Sequence, residues 1–188
     1  MKHKKDISDI VTMPNCGKCL IIDNTVEDLE QYNIDSMFHK SNHKTVVDWP
    51  DKHNHFFIDQ YKPNELVKEI GRKVIDKIRQ YDKDFPKNYK VIYGAHEIRH
   101  HVDKLGGIAP HSDRGHYIGV TLFMNQYWNK DWGAWNYVYN DDNGIDINCP
   151  TFNRTVVLYA PRLHGCTPVW ERDKVRRSLQ FFVDSMES

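Results

Sequence analysis

Three side chains that bind transition metals stand at positions that suggest one shared site. His111 and Asp113 are two residues apart, and His164 follows 53 positions after His111. On a β-strand, residues i and i+2 point to the same side, so His111 and Asp113 can reach one ion. Two imidazoles and one carboxylate occupy one face of an octahedral Fe(II) ion and leave the opposite positions open. The pattern therefore predicts a metal site that can also take a small acid and O₂.

An arginine further along the chain could hold an acid next to such a metal. Arg176 stands twelve positions after His164 and begins a β-rich run. A guanidinium group at this place suits bidentate pairing with a carboxylate. Arg177 follows directly, but neighbouring residues of a strand point to opposite faces, so only one of the two can face the metal.

A second His-x-Asp pair, His101 and Asp103, competes with the first. This second pair is followed within a few residues by two glycines rather than by a β-rich segment, which is typical of a solvated loop. The sequence therefore favours His111 and Asp113 as the metal ligands. The other histidines of the 11 in the chain are expected to be surface or hydrogen-bonded residues. They include His53, His55, His96, His100 and His116.

Short β-rich runs in the second half of the chain must carry these side chains. They are rich in Val, Ile, Tyr and Phe and are separated by clusters of Gly, Pro, Asn and Asp. Closely spaced strands of this kind predict an antiparallel sandwich or barrel, in which ligands from separate strands converge. The runs cover residues 91–93, 117–124, 135–139, 155–159 and 179–183.

The first half of the chain is predicted to supply supporting elements. A buried strand is expected over residues 18–24 and a helix over 25–38. Residues 39–54 are polar and predict a surface loop. The clearest helix opens at residues 63–65, because apolar residues recur at helical spacing after them. These apolar residues are Leu66, Ile70, Val74 and Ile78.

Composition and charge argue against several classes of protein. The 188 residues are 39% apolar and 28% charged, which is ordinary for one water-soluble domain. Lys and Arg together number 26, as do Asp and Glu, so no net positive charge favours nucleic acid. No apolar run approaches the roughly 20 residues of a membrane helix, and none follows the charged start as in a secretory signal. We therefore expect a cytoplasmic protein with neither nucleic acid nor membrane as partner.

The four cysteines do not predict a disulfide framework. Cys16 and Cys19 form a lone CxxC motif, without the context of a redox site or the second close pair of a zinc site. Cys149 and Cys166 stand apart from it. Structural or incidental thiols are the favoured interpretation, and a zinc or redox role for the motif is the alternative.

The order of the His-x-Asp pair, the later histidine and the arginine resembles the Fe(II)/2-oxoglutarate-dependent oxygenase superfamily, especially its prolyl-4-hydroxylase-like branch. The resemblance covers roughly residues 91–183, about half of the chain. Neighbouring segments resemble the family as well. They are KCLIIDN at 18–24, LFMNQYW at 122–128, NRTVVLY at 153–159, HGCTPV at 164–169 and RRSL at 176–179.

This resemblance implies an α+β fold that is mostly β. The expected architecture is a double-stranded β-helix, a jelly-roll or cupin-like barrel, with N-terminal supporting helices. It implies a single domain over residues 1–188, with a polar leader at 1–15, a strand plus supporting helices at 16–90, and a catalytic jelly-roll core at 91–183.

The same resemblance implies the roles of the candidate site residues. His111, Asp113 and His164 would bind Fe(II), and Arg176 would pair with the far carboxylate of the cosubstrate 2-oxoglutarate. Arg176 is preferred to the residue after it because the family's arginine precedes a small residue by two positions, as it does here. O₂ is the further reactant, and ascorbate is an optional addition.

The chain departs from the family at two contacts with the cosubstrate. Phe123 stands where the family often has a tyrosine that hydrogen-bonds the cosubstrate. A second tyrosine, upstream of the iron pair, is replaced by His101 or a neighbour. Thr121 shares a strand face with Phe123 and could supply a hydroxyl group. Thr121 and His101 are therefore candidate cosubstrate ligands besides Arg176.

The implied reaction is hydroxylation of a C–H bond in a peptidyl or small-molecule substrate, with release of succinate and CO₂. Asp113 favours hydroxylation, because the family's halogenases leave that position vacant for halide. One alternative is a nucleic-acid demethylase of the superfamily, although residues 172–180 do not reproduce the spaced Arg, Asn, Thr and Arg of those enzymes. Another is a metal-binding barrel without catalysis. The aromatic residues of segment 128–139 could bind a substrate, but packing between sheets is favoured.

Overall fold

Two antiparallel β-sheets pack face to face, and one long helix, α1 (Glu65–Tyr81), lies outside the larger sheet. The computed structural model describes residues 10–12, 18–39, 43–48, 55–100, 107–113, 115–140, 144–160 and 162–186. The strands are β1 (Ile10–Thr12), β2 (Cys19–Ile22), β3 (His43–Asp48), β4 (His55–Tyr61), β5 (Tyr89–Arg99), β6 (Ile108–His111), β7 (Ile118–Phe123), β8 (Asn136–Tyr139), β9 (Ile145–Asn148), β10 (Thr155–Tyr159), β11 (His164–Cys166) and β12 (Val175–Ser185).

The two sheets enclose an interior that both halves of the chain help to form. The larger sheet has the strand order β1-β2-β10-β7-β12-β5-β4-β3, and the smaller has β6-β11-β8-β9. Val138 of the smaller sheet packs against Ile21 and Phe123 of the larger one. Cys166 of the smaller sheet packs against Ile98 of the larger. N-terminal strands thus complete the sheet that the C-terminal strands begin, as a jelly-roll barrel requires.

Strand β12 positions the predicted arginine. It lies between β5 and β7 in the larger sheet and pairs with both. Its residues alternate between the two faces of the sheet. Arg176 and Ser178 point into the interior, where the arginine contacts Cys166 of the opposite sheet. Leu179 and Phe181 point outward into the core beneath α1.

Helix α1 covers the outer face of the larger sheet, as its apolar stripe predicts. The Asn64 side chain caps its first turn by accepting a hydrogen bond from Val67 N at 3.0 Å. Gly71 allows a close approach to the sheet, because a Cβ atom there would lie 2.8 Å from Phe181 Cε1. The buried residues of the helix are Val67, Ile70, Gly71, Val74, Ile75 and Ile78.

The predicted helix over residues 25–38 is wrong. Two short 3-10 helices, Leu29–Gln31 and Ile34–Phe38, occupy this segment instead. Asp28 precedes the first in a left-handed backbone conformation (φ 55°), and the Asn33 side chain caps the second. Local side-chain bonds and a turn therefore interrupt the helical pattern. The apolar residues of the pattern still pack into the core; they are Val26, Leu29 and Tyr32.

The predicted surface loop over residues 39–54 is wrong in its middle. Strand β3 lies there and pairs with β4 at the edge of the larger sheet. An edge strand tolerates polar and charged residues, so its composition resembles that of a loop. Strand β4 and the short strands β1, β9 and β11 also escape prediction; β1 lies within the predicted polar leader. Period-2 alternation is hard to recognise over the three or four residues of the short strands.

Within the described residues, no helix combines the length and the apolar character that crossing a bilayer demands. Of the CxxC motif, Cys19 is buried in β2 and Cys16 lies outside the described residues. The zinc and redox alternatives for this motif therefore stay predictions.

Candidate metal centre

The three predicted metal ligands converge at one end of the interior. One ligand atom from each of His111, Asp113 and His164 lies within 4.8 Å of the others, and no second group of this kind occurs among the described residues. His111 Nε2 is 3.5 Å from Asp113 Oδ1, and His164 Nε2 is 3.4 Å from Asp113 Oδ2. Ligand atoms on one octahedral face are roughly 3 Å apart when the bonds are about 2.1 Å long. The triad therefore needs little movement to hold one ion.

Two strands of the smaller sheet bring the histidines together. His111 ends β6, His164 begins β11, and the two residues are direct partners in the antiparallel pair. Their ring centroids are 4.4 Å apart. Asp113 lies beyond the end of β6 and contacts β7 at Gly119. The ligand that is distant in the sequence is thus adjacent in the sheet.

Backbone carbonyl groups orient both imidazole rings. His111 Nδ1 lies 3.0 Å from Ala109 O, and His164 Nδ1 lies 2.9 Å from Arg162 O. A carbonyl oxygen only accepts hydrogen bonds, so Nδ1 carries the hydrogen in each neutral ring. Nε2 is then the metal-binding nitrogen, and it is the atom that faces Asp113 in both histidines.

The charges of the triad support a deprotonated carboxylate. Burial raises the pKa of the Asp113 carboxyl, but the hydrogen bond with His111 and the charges of both histidines outweigh burial and lower it. Burial lowers the pKa of His164 despite the nearby carboxylate. For His111, burial also acts to lower the pKa, but the bonds to Asp113 and Ala109 raise it overall. Protons and a metal ion compete for these groups, so the affinity for the metal should decrease as the pH is lowered.

The Gly119→Ala variant should bind metal about 10- to 100-fold more weakly than the wild type, the range seen when the surroundings of ligands are changed. Its new Cβ would lie 2.7 Å from Asp113 Oδ2 and would push the carboxylate away. Gly94→Ala is the matched control, because a Cβ there meets His96 Nε2 at an ordinary 3.5 Å. Titration with Co(II) measures both affinities. Equal affinities would argue against Asp113 as a ligand.

Arg176 is buried in the interior, 1% exposed, and has no acidic partner among the described residues. Its Nη1 donates to Asn136 Oδ1 at 2.8 Å and contacts Cys166 Sγ at 2.9 Å, and its Nη2 donates to Ser178 Oγ at 3.2 Å. Nε has no hydrogen-bond partner in the described part of the chain. Burial lowers the pKa of the guanidinium, but such a group stays charged. A buried cation in this state is costly without an anion.

Arg177 points to the other face of the larger sheet. Its Nε donates to Glu97 Oε1 at 2.8 Å, and its Nη1 donates to Asp35 Oδ1 at 2.5 Å. A cavity of about 380 Å³ adjoins this arginine, and no residue of the triad lines it. Arg177 is therefore a partner in an ion-pair network outside the interior. Other residues lining this cavity are Tyr32, Asn33, Ile34, Met124, Asn125 and Gln126.

The space directly beside the triad is small. A cavity of about 10 Å³ adjoins Asp113 and His164, which is room for about one water molecule. Its other lining residues are Gly119, Leu158, Ala160 and Arg162.

Polar side chains line the inner face of the larger sheet towards Arg176. Thr121 Oγ1 donates to Gln180 Oε1 at 2.9 Å, and Gln180 Nε2 donates to Ser178 Oγ at 3.2 Å. His96 of β5 is the cross-strand partner of Ser178. Thr121, Gln180 and His96 keep part of their surface exposed. Side chains usually fill the interior of a small barrel, so this polar and incompletely filled strip is a candidate ligand surface.

His96 departs from the expectation that the remaining histidines are surface or hydrogen-bonded residues. Burial, followed by the positive charge of Arg176, lowers the pKa of His96 to about 4. No described residue forms a hydrogen bond with its ring. The sequence signal is the alternation of Gly94, His96 and Ile98 on one face of β5. It is recognisable only when the strand is known to extend well beyond residues 91–93.

The His96→Gln variant should lose less stability than the wild type on acidification. The folded pKa of about 4 lies below the ordinary 6.5, so between these pH values the unfolded chain binds a proton that the folded protein does not. Stability therefore falls as the pH falls through this window, by up to about 3 kcal/mol for this group. Urea unfolding at pH 7 and at pH 4.5 measures the effect. Identical losses in both proteins would mean that the ring is solvated.

The other sequence candidates are placed as follows. His101, the predicted cosubstrate ligand, and Asp103 of the second pair lie outside the described residues, so their roles stay predictions. His116 is near the triad through its backbone bond to Asp113 O. Its Nδ1 lies 2.6 Å from Asp184 Oδ1, and its ring stacks on Phe182.

The tryptophans of segment 128–139 contact other aromatic rings. Trp128 and Trp132 meet edge to face with centroids 5.4 Å apart, and Trp135 meets Trp170 at 5.1 Å. Ala134 lies among them, and its carbonyl oxygen accepts a hydrogen bond from Arg176 at 3.3 Å. The segment that carries these indoles therefore lies near Arg176, and Trp128 packs against the buried cluster that contains Cys166.

Solved structures resemble this chain, although no protein-family model and no curated protein matches it. A prolyl hydroxylase from Trichoplax adhaerens, in complex with a peptide fragment of the hypoxia inducible factor oxygen degradation domain, has a TM-score of 0.66 and 16% identity over 92% of this chain and 84% of that chain. A 2OG-Fe(II) oxygenase family oxidoreductase from Burkholderia pseudomallei has a TM-score of 0.66 and 12% identity, over 88% of this chain and 84% of that chain. A Pseudomonas putida prolyl-4-hydroxylase has a TM-score of 0.64 and 12% identity, over 90% of this chain and 93% of that chain.

The chain has the fold of the 2-oxoglutarate oxygenases. The predicted jelly-roll barrel, mostly β and supported by N-terminal helices, is confirmed. At identities of 12–16% this likeness concerns the fold. Function has to be argued from the residues of the site.

Proposed function

We propose that this chain is an Fe(II)- and 2-oxoglutarate-dependent dioxygenase that hydroxylates a C–H bond and releases succinate and CO₂. One observation carries the proposal. A triad of two histidines and one aspartate lies at one end of an interior whose other end holds a buried arginine without an acidic partner among the described residues. The first feature suits a metal and the second suits a carboxylate.

The donor set fits Fe(II). Two neutral imidazoles and one carboxylate with open positions opposite them are the ligands of non-haem Fe(II) oxygenases. His111, Asp113 and His164 would hold the ion, and the carbonyls of Ala109 and Arg162 would keep the rings in orientation. When bound, Fe(II) and 2-oxoglutarate together activate O₂ for oxidation of a substrate C–H bond.

The far end of the interior fits a dicarboxylate cosubstrate. Cys166, whose Sγ contacts the Arg176 guanidinium at 2.9 Å, is two residues from the ligand His164 on β11, or roughly 7 Å along the strand. The Nη2 bond to Ser178 directs the arginine side chain along β12 towards the triad. A dicarboxylate whose 2-oxo acid end lay at the triad could therefore present its second carboxylate to Arg176.

Apolar side chains would keep water out of this space. Ile21, Phe123, Val156 and Leu158 form a buried cluster with Val138 of the opposite sheet. Phe123 also lies against the arginine, with 5.3 Å between its ring centroid and Arg176 Cζ. Exclusion of water strengthens the pairing of a guanidinium with a carboxylate, because their attraction is larger in a medium of low dielectric constant.

The substrate class in this proposal is a peptide or a small molecule. A peptide is compatible with the fold, because the Trichoplax prolyl hydroxylase carries one. The equal numbers of basic and acidic residues do not favour a nucleic acid. O₂ is the further reactant, and ascorbate is an optional addition to the assay.

Oxygen consumption and succinate formation test the proposal. Purified protein with Fe(II), 2-oxoglutarate and a panel of proline peptides, free amino acids and methylated oligonucleotides should consume O₂ and form succinate in stoichiometric amounts. Stimulation by the oligonucleotides alone would favour the demethylase alternative. Fe(II) binding with no 2-oxoglutarate binding would favour a metal-binding barrel without catalysis.

A further inference from the structure

We propose that His96 donates a hydrogen bond to the distal carboxylate of 2-oxoglutarate, beside Arg176. This inference rests on the proposed function. It adds to Arg176 a second ligand for the distal carboxylate, a role that Phe123 cannot fill because it has no hydroxyl group.

The position of His96 supports this role. On β5 it is the cross-strand partner of Ser178, and Ser178 Oγ accepts a hydrogen bond from Arg176 Nη2 at 3.2 Å. Cross-strand partners have Cβ atoms about 5 Å apart, so a carboxylate at the guanidinium is within reach of the imidazole. The neighbour of His96 on the same face is Gly94, which has no side chain to fill the space beside the ring.

The hydrogen bonding of the strip leaves His96 available. Thr121, Gln180, Ser178 and Arg176 are linked to one another by hydrogen bonds. The His96 ring, on the same inner face, has no such bond from any described residue. An incoming acceptor can therefore bond to this ring without displacing an existing hydrogen bond.

The charge state of His96 suits a carboxylate next to an arginine. Burial and the charge of Arg176 lower the pKa of His96 to about 4, so the ring is neutral at physiological pH. A neutral imidazole has one N–H donor. It can therefore add a hydrogen bond to the carboxylate without adding positive charge next to the guanidinium.

Two variants whose new side chains have similar lengths test the N–H donor of His96 separately from its packing. His96→Gln keeps an N–H group and His96→Met does not. The probes are 2-oxoglutarate and 2-oxopentanoate, which has a methyl group in place of the distal carboxylate, titrated calorimetrically into Mn(II)-loaded protein. We expect H96M to bind 2-oxoglutarate about 10-fold or more weakly than H96Q, as for loss of a hydrogen bond to a charged group. Both should bind 2-oxopentanoate equally, within about twofold, and Mn(II) affinity should be unchanged.

The outcomes separate the inference from the function on which it rests. Equal 2-oxoglutarate affinities for H96M and H96Q would overturn the role of His96 and leave the proposed function intact. A parallel loss for both probes in H96M would mean that the residue acts only through packing, which also overturns it. If the wild type binds Mn(II) but neither probe, the proposed function itself fails.

Discussion

Replacing Arg176 with methionine should abolish binding of 2-oxoglutarate and, at the same time, leave the folded protein as stable as the wild type or more so. The guanidinium is 1% exposed, and none of its partners among the described residues is an acid. Apolar residues that replace buried charges of similar volume are often neutral or stabilising by 1–4 kcal/mol. Loss of this cation should weaken cosubstrate binding by about 100-fold or more, because breaking a buried pair costs about 3–5 kcal/mol.

Arg177→Met is the matched control, with the same exchange one position along the strand. Arg177 pairs with Glu97, which is buried at 2% exposure and keeps Arg99 and Tyr61 as its remaining partners. Loss of the charged hydrogen bond to Glu97 should reduce the free energy of unfolding by about 1–3 kcal/mol, and loss of the exposed pair with Asp35 should add little. Affinity for 2-oxoglutarate should be unchanged, because this side chain lies on the opposite face of the sheet from Arg176.

Chemical unfolding and calorimetric titration of the two variants measure these opposite effects. The interpretation of Arg176 would be contradicted if R176M unfolded more easily than R177M, since the guanidinium would then be a structural partner rather than an unpaired cation. Undiminished affinity of R176M for 2-oxoglutarate would separately remove it from the cosubstrate site.

His164→Ala should eliminate metal binding at micromolar concentrations, with a dissociation constant for Fe(II) or Co(II) raised at least about 100-fold. Changes to the surroundings of a ligand cost about 10- to 100-fold, and removal of a ligand should cost more. His164 Nε2 is one of only three ligand atoms in the triad. Anaerobic titration with Fe(II), or optical titration with Co(II), measures the constant.

Two controls accompany this variant. His100→Ala removes a histidine whose Nδ1 bonds Val169 O and which is not part of the triad, so metal affinity should be retained. Asp103→Ala tests the second His-x-Asp pair and should likewise retain affinity. If D103A lost metal binding and the His164 variant bound metal normally, the metal site would be the second His-x-Asp pair instead.

The metal triad is predictable from the sequence because its chemistry restricts both residue types and local spacing. His111 and Asp113 are two residues apart, which brings both within reach of one ion although β6 ends at His111 and Asp113 follows it. The alternation of side chains along a strand likewise predicts that Arg176 and Arg177 face opposite sides of the sheet. The fold class follows from the same β-rich runs, because Gly, Pro, Asn and Asp clusters rather than helical patterns separate them.

Features that depend on register between distant strands are not predictable in this way. His96 faces the interior because β5 pairs with β12 in one particular register, across about 80 residues of sequence. Val26 lies in no helix because its backbone N–H donates to Asn153 Oδ1, and the Asn153 side chain donates back to its carbonyl. Neither partner can be recognised from the residues nearby. Tertiary contacts of this kind override local propensity.

The position of β6 at the edge of the smaller sheet has a consequence for how a metal would leave. This four-residue strand pairs with β11 alone in the described part of the chain, whereas the eleven-residue β12 is held on both sides. Short edge elements open locally at a fraction of the free energy of global unfolding. Fraying of β6 would release His111 while Arg176 stays in place. Amide hydrogen exchange should therefore be faster at Ala109 than at Phe181, and a bound metal should slow the first and leave the second unchanged.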